Sequence, residues 1–322
     1  MAVYTKLSDK NLNEFFLKYK LGKILSYKGI REGIENTNYF IKTDKGNFIL
    51  TVYEKRVEEK DLPFFMGLMR NLFDSKFPSP EPIINKNGNY ITDILGKKAA
   101  VVSFLDGSVK KNLNTENCHE IGIQTAKLHL ITQKLTLKRE NKLSVNSWRK
   151  IYINVQKDCS KIHPNLSNIV EKNLDEIENK WPKNIPSGII HADLFPDNLF
   201  FKNNKLSGII DFYFSCHDFY AFEIAICLNA LCFEGKKENL SFNVTKAKKF
   251  IDGYSSIRKL SEIEKQSLKI LCKGAAIRFL LTRVFDYLNL TEGAIVKIKD
   301  PVEYLKRLEF HDSVKNYQDY FF

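Results

Sequence analysis

Along the first hundred or so residues the apolar positions come in short runs, some of them alternating, as half-buried strands require. The segments KILSYKGI and TNYFIKT are rich in Ile, Tyr and Phe, and TDKG supplies turn residues before a hairpin partner, NFILTVYE. A short helix is predicted ahead of them over Asp9 to Tyr19. From Glu58 to Ser75 the period changes: Leu62, Phe65, Leu68, Met69, Leu72 and Phe73 recur at near-helical spacing, with Pro63 in the first turn where its missing amide is tolerated. After the breaker FPSPEP, two further strands, NYITDIL and KAAVVSFL, are joined across Gly96. These elements make a small sheet of about five strands carrying one main helix.

Beyond Leu105-Asp106-Gly107 the pattern becomes helical. TENCHEIGIQTAKLHLIT opens on Thr115 as the expected N-cap, and helices are predicted at about 165–180, 218–234, 241–256 and 261–290, with one more near the C-terminus. The NSWRK segment containing Trp148 and Arg149 reads as an insert bordering the pocket. Only Ser187 to Phe214 interrupts this half with strand-like runs. The expectation is a two-lobed α+β fold: an antiparallel-sheet lobe over residues 1–105 and a larger, mostly helical lobe over 106–322.

Composition narrows the class. The 322 residues are 43% hydrophobic and 12% aromatic, enough for globular cores. No run of about 18 apolar residues is present, and the opening MAVYTKLSDKNLNEFF lacks the basic-then-apolar form of a signal peptide, so a cytoplasmic protein is expected. Six scattered cysteines without a C-x-x-C pair point to buried thiols. The net charge of +12 comes without a basic stripe interleaved with aromatics, so no nucleic-acid partner is expected; the expected form is a monomer or weak homodimer acting on a small molecule.

Between the strand-like runs lies IIHADLFPDNLFF, with His191, Asp193, Asp197 and Asn198 within eight residues, followed by NLFFKNNKLSGIIDF. The latter reads as a hairpin. With its turn centred on Asn204-Lys205, Asn198 would lie directly across from Asp211, setting an amide oxygen and a carboxylate side by side. Two such oxygens plus substrate phosphates suit Mg²⁺, which leaves Asp193 to accept a proton. Each residue alone is a common cap or turn former, and a register slip of one residue would undo the pairing.

HADLFPDN followed by IIDF resembles the catalytic and metal-binding loops of the protein-kinase-like superfamily, in its aminoglycoside and choline phosphotransferase branch. EGIENTNYFI, ILTVYEKRVEEKDLPFFMGLM, IIDFYFSCHDFYAFEIAICLNALCFE and GAAIRFLLTRVFDYL extend the likeness, from about residue 30 to about 290, toward the bacterial homoserine kinases of that fold. The resemblance implies ATP and Mg²⁺ as cofactors and L-homoserine as acceptor, with Asp193 orienting and deprotonating the hydroxyl and Asn198 and Asp211 holding the metal. His191 would brace the catalytic loop, and Glu223 would anchor that loop to a helix. Gly29, Gly33 and Asn38 fall in the position of the phosphate-covering loop. Thr51 stands where most relatives in the superfamily carry a lysine, with Lys55 and Arg56 nearby.

An amino-acid substrate needs a cation and an anion around it. Arg278 and Arg283 are candidates for its carboxylate, although Asp286 is the alternative partner of Arg283; Glu234 and Asp218 are candidates for its ammonium. Two other readings stay open. A choline- or ethanolamine-directed kinase would draw an aromatic cage from FDYL, FYAF and DFYF, and an aminoglycoside kinase is disfavoured by the basic charge. A catalytically inactive nucleotide-binding protein is the reading that the missing lysine would favour.

Overall fold

The computed structural model describes residues 4–30, 36–54, 57–236, 239–289 and 299–321. Helix α1 (Asp9–Phe16) starts at Ser8, which exchanges hydrogen bonds with Asn11 in a capping box, and buries Leu12, Phe15 and Phe16. Strands β1 (Ile24–Gly29), β2 (Thr37–Thr43) and β3 (Gly46–Val52) form an antiparallel meander, and Asp44-Lys45 closes the hairpin between the last two. Helix α2 (Leu62–Asp74) follows a single 3₁₀ turn over Glu59–Asp61, so the predicted helix begins four residues late, with Pro63 in its first turn. Strands β4 (Pro82–Ile83), β5 (Ile91–Ile94) and β6 (Lys97–Ser103) complete a six-stranded antiparallel sheet ordered β1-β2-β3-β6-β4, with β5 pairing β6. One face, through Tyr39, Ile41, Leu50, Val52 and Val101, packs on α1 as a core of its own. Toward the other face, Tyr53, Ala100, Val102 and the apolar side of α2 join the core of the helical half.

That half begins after β6. The short strand β7 (Ser108–Val109) already pairs within a three-stranded sheet with the hairpin over residues 199–209. Helix α3 (Thr115–Thr132) is capped by Asn114, not Thr115, because the Asn114 side chain accepts from the Asn117 amide at 2.8 Å. The supposed insert is helix α4 (Val145–Val155): Trp148, Tyr152 and Val155 share one face and are buried, so Trp148 is a core residue. Its neighbour Arg149 is fixed by Glu178 and Asp175 of α5 (Leu166–Lys180). Strands β8 (Ser187–Ile190), β9 (Leu199–Lys202), β10 (Lys205–Ile209) and β11 (Cys216–Phe219) precede helices α6 (Tyr220–Leu231), α7 (Val244–Ile257), α8 (Glu262–Leu288) and α9 (Val302–Ser313). Helices α3 and α7 meet backbone to backbone at Gly122 and Gly253, where a Cβ would stand 2.1 Å from the Phe250 carbonyl oxygen and 2.0 Å from that of His119. Among the described residues no helix is long and apolar enough to cross a membrane.

Candidate active site

Strand β8 delivers the chain into a loop whose first residue, His191, is fully buried. Its ring is wired on both sides: Nε2 donates to the Ile210 carbonyl at 2.9 Å, and Nδ1 accepts the Asp193 amide at 3.2 Å. This wiring selects the neutral Nε2–H tautomer, and burial lowers the imidazole to a pKa of about 4. Such a ring is a brace between two loops.

Ala192 is left-handed, with φ of 65°, a conformation that alanine adopts only under constraint. The constraint comes from below: the buried Glu223 carboxylate accepts the amides of both His191 and Ala192, the latter at 3.1 Å. Burial raises Glu223 to about 7 and those backbone donors oppose it. Asp193 follows, half-buried, with its carboxyl raised by burial to about 6 against the pull of Arg278 and Lys299. Its nearest partner is the Asn198 amide, which donates to the Asp193 carboxylate at 3.1 Å and to its carbonyl at 2.8 Å. Nδ2 is spent on these two bonds, and Oδ1 is the remaining polar atom of the Asn198 side chain.

The register differs from the one expected. The turn falls on Asn203-Asn204, both left-handed, so Lys202 pairs with Lys205. An irregularity between Leu206 and Gly208 then shifts the ladder by one, and the Ile210 amide donates to the Asn198 carbonyl at 3.1 Å. Asn198 therefore faces Ile210, not Asp211. Asp211 lies one residue further on and adopts a left-handed φ of 64°, which turns the chain at the end of the hairpin. An amide oxygen and a carboxylate flanking one end of a ribbon are the donor types a hard divalent cation takes.

The sheet approaches this loop through Tyr213, two residues past Asp211. Its hydroxyl accepts from Tyr53 at 3.2 Å, and its ring stands edge-on to Phe65 of α2. Thr51 itself donates to Asn38 at 2.8 Å across the paired strands. Thus Asn38 and Thr51 meet each other beside the Asp211 loop. Gly29 ends β1 opposite Tyr39, where the Ile30 amide donates to the Asn38 carbonyl at 2.8 Å. Gly33, Lys55 and Arg56 lie outside the described residues.

The four substrate candidates separate. Arg278, 2% exposed, donates to the Ala192 carbonyl at 2.7 Å, directly behind Asp193. Arg283 instead joins α8 to the start of α9, donating to Glu303 and to the Asp300 carbonyl at 3.0 Å. Glu234 is bound to Lys246 at 2.6 Å and to Asn243, away from the loop in sequence and in its contacts. Asp218 accepts from Asn141 at 2.6 Å; burial raises it and Arg278 is among the groups pulling it back. The aromatics of FDYL, FYAF and DFYF are dispersed: Phe212 lies against His191, Tyr220 against His129, Phe222 against Trp148, and Phe285 and Tyr287 are exposed. Tyr213 stands against Tyr53 and Phe65, Phe214 lies 5.9 Å from Arg278, and among the described residues no two rings of these three segments pack on each other.

Residues 139–142 were not legible as part of this region. Arg139 donates to Asp61, ahead of α2, at 2.8 Å and to the Ser215 carbonyl at 2.9 Å, while Lys142 also reaches Asp61 at 3.2 Å. A polar run without periodicity carries no local signal for such long-range partners.

A half-buried carboxylate bonded to an amide at a ribbon's end, with a second carboxylate at the adjoining turn, is an arrangement suited to phosphoryl transfer. The description "Phosphotransferase enzyme family" matches residues 26–257, and the chain belongs to that family and uses ATP as its members do. Within it the chain belongs with the homoserine kinases: it is 46% identical over 320 residues to the enzymes of Nitrobacter winogradskyi and Xanthobacter autotrophicus, covering 99% of this chain and 97% and 99% of theirs. An amicoumacin kinase shares the two-lobed, protein-kinase-like fold, with a TM-score of 0.70 at 14% identity over 97% of this chain and 95% of that one.

Proposed function

We propose that the protein transfers the γ-phosphoryl group of ATP to the side-chain hydroxyl of L-homoserine, giving O-phospho-L-homoserine for threonine biosynthesis in the cytoplasm. The single observation that carries the chemistry is the Asn198 amide bonded to the Asp193 carboxylate at the end of the hairpin that Asp211 closes. Asp193 accepts the hydroxyl proton as the oxygen attacks phosphorus and ADP departs. Its Asn198 bond holds the carboxylate in one orientation, and His191 holds the loop without titrating. Asn198 Oδ1 and the Asp211 carboxylate would hold Mg²⁺, which when bound neutralises phosphate charge. Gly29, Asn38 and Thr51 line the nucleotide side, and we place the division between the lobes at residues 105/106. Thr51 is bonded to Asn38, and no lysine acts from that position of β3.

The 46% identity to homoserine kinases supports the acceptor, and the dispersed aromatics speak against a quaternary ammonium. Coupled ADP release with homoserine, serine, choline and an aminoglycoside in parallel tests it. A dominant kcat/KM for homoserine is the expected result; equal turnover of choline or the aminoglycoside would remove the assignment of substrate while leaving the phosphotransfer.

A further inference from the structure

We infer that Arg278 is a positioning residue for phosphoryl transfer: it holds the Ala192 peptide unit from its carbonyl side while Glu223 holds the amide side, so that the left-handed turn presents Asp193 in one orientation. The inference rests on the reading of Asp193 as the base.

Three elements converge on one residue. The His191 and Ala192 amides point at the Glu223 carboxylate of α6, and the Ala192 carbonyl accepts Nη1 of Arg278 from α8 at 2.7 Å. Ala192 is 1% exposed and left-handed, and no glycine relieves that turn. The loop therefore keeps its shape because both faces of the Ala192 unit are gripped. Remove one grip and the alanine has a cheaper right-handed or extended alternative, which would redirect the next side chain, that of Asp193.

The guanidinium is built inward. It lies 4.6 Å from the Phe279 ring and 5.9 Å from that of Phe214, and its Nε is sealed from solvent without a hydrogen-bond partner. A fork meant to grip a substrate carboxylate presents its donors to the ligand. Here one donor is committed to the loop backbone and another is enclosed. Arg278 is also a cation that draws the carboxyls of Asp193, Asp218 and Glu223 back against the rise caused by their burial. Lysine cannot replace it fully, since a point donor on a flexible stem lacks the planar stacking.

The test uses the full-length protein as Arg278→Met, Arg278→Lys, Ala192→Gly, Ala192→Gly/Arg278→Met and Arg278→Met/Asp193→Asn. Arg278→Met is expected to lower kcat by at least about tenfold with the KM for homoserine and for ATP within about threefold, the signature of a lost transition-state alignment. Lysine should fall between. Glycine at position 192 makes the left-handed turn free of strain, so in that background the methionine's loss of kcat should be several-fold smaller, roughly three- to tenfold. In the Asp193→Asn background the methionine should add less than about twofold, because the two residues act as one unit. A homoserine KM raised more than about tenfold at parental kcat would make Arg278 a substrate ligand and overturn the inference. Equal losses with and without the Ala192→Gly change would do the same. Should Arg278→Met fail to fold, Arg278→Lys, alone and combined with Ala192→Gly, carries the same comparison. If Asp193→Asn alone keeps parental activity, the reading of the base fails; if that variant is inactive while Arg278→Met has parental kcat, only this inference fails.

Discussion

The Asn198 side-chain amide donates to the Asp193 carboxylate at 3.1 Å, so the residue read as a metal ligand also orients the residue read as the base. Replacing Asn198 by Asp keeps the size and an oxygen donor but sets a second carboxylate against the first. Asp193, already raised by burial to about 6, would then bind its proton more tightly still. A carboxyl protonated below its pKa cannot accept the hydroxyl proton, so activity is lost as pH falls through that value. The acid limb of kcat/KM should move up by about a unit or more in Asn198→Asp, with turnover at neutral pH down by about a hundredfold. A pH–rate profile of both forms reads this directly; an unshifted limb would separate the two residues.

Asp211 turns the chain at the end of the hairpin. If it holds the cation and takes no proton, Asp211→Ala should weaken nucleotide binding only in the presence of Mg²⁺. Asp193→Ala should instead leave binding intact and cost turnover by about three orders of magnitude, each tenfold being about 1.4 kcal/mol of barrier. Calorimetric titration of ATP with and without Mg²⁺ distinguishes the two.

The run from Arg139 to Lys142 ties the approach to α2 to the chain beyond Asp211. The Arg139 and Asp61 side chains are 15% and 11% exposed, so cutting their 2.8 Å bond leaves the nearly buried Asp61 carboxylate with only Lys142, at 3.2 Å, as a cationic partner. Arg139→Met should destabilise the fold by about 2–3 kcal/mol in urea unfolding. Removing both partners should cost less than the two single losses combined, since the bond they share is then lost only once.

How far the sequence could be read depended on how local the signal was. The loop from His191 to Asn198 stands out because four polar groups interrupt apolar strands, and the hairpin after it because KNNK separates two Ile- and Phe-rich runs. The register was not readable. It depends on which pair takes the left-handed turn, and two adjacent asparagines take it more readily than an asparagine and a lysine. The irregularity near Ser207 then moves the ladder again for reasons no pattern of side chains announces. Trp148 was misplaced because the polar residues of VNSWRK masked a helical face that Tyr152 and Val155 complete. Arg278 was singled out as an arginine in an apolar helix, but that it faces a backbone carbonyl 86 positions away is a tertiary fact.

The C-terminal helices carry a pH dependence of their own. His311 of α9 is fully buried, its Nε2 donating to Asn229 at 3.1 Å and its Nδ1 accepting from Tyr320 at 3.0 Å. Burial, with Arg307 and Lys273 nearby, lowers its pKa from 6.5 to about 3. Because the folded value is depressed, the unfolded chain binds the proton more readily. The contribution is complete above 6.5 and is lost progressively as pH falls toward 3. At about pH 5 the loss amounts to about 2 kcal/mol, since each unit of difference is worth about 1.4. His311→Gln abolishes the titration, so its stability deficit relative to the parent should be about 2 kcal/mol smaller at about pH 5 than at about pH 7.5. The comparison cancels the other titrating groups, among them His191, whose depressed value acts in the same direction, and Glu223, whose raised value acts in the opposite one. A deficit that stays constant across the two conditions would mean that His311 takes up its proton inside the folded protein.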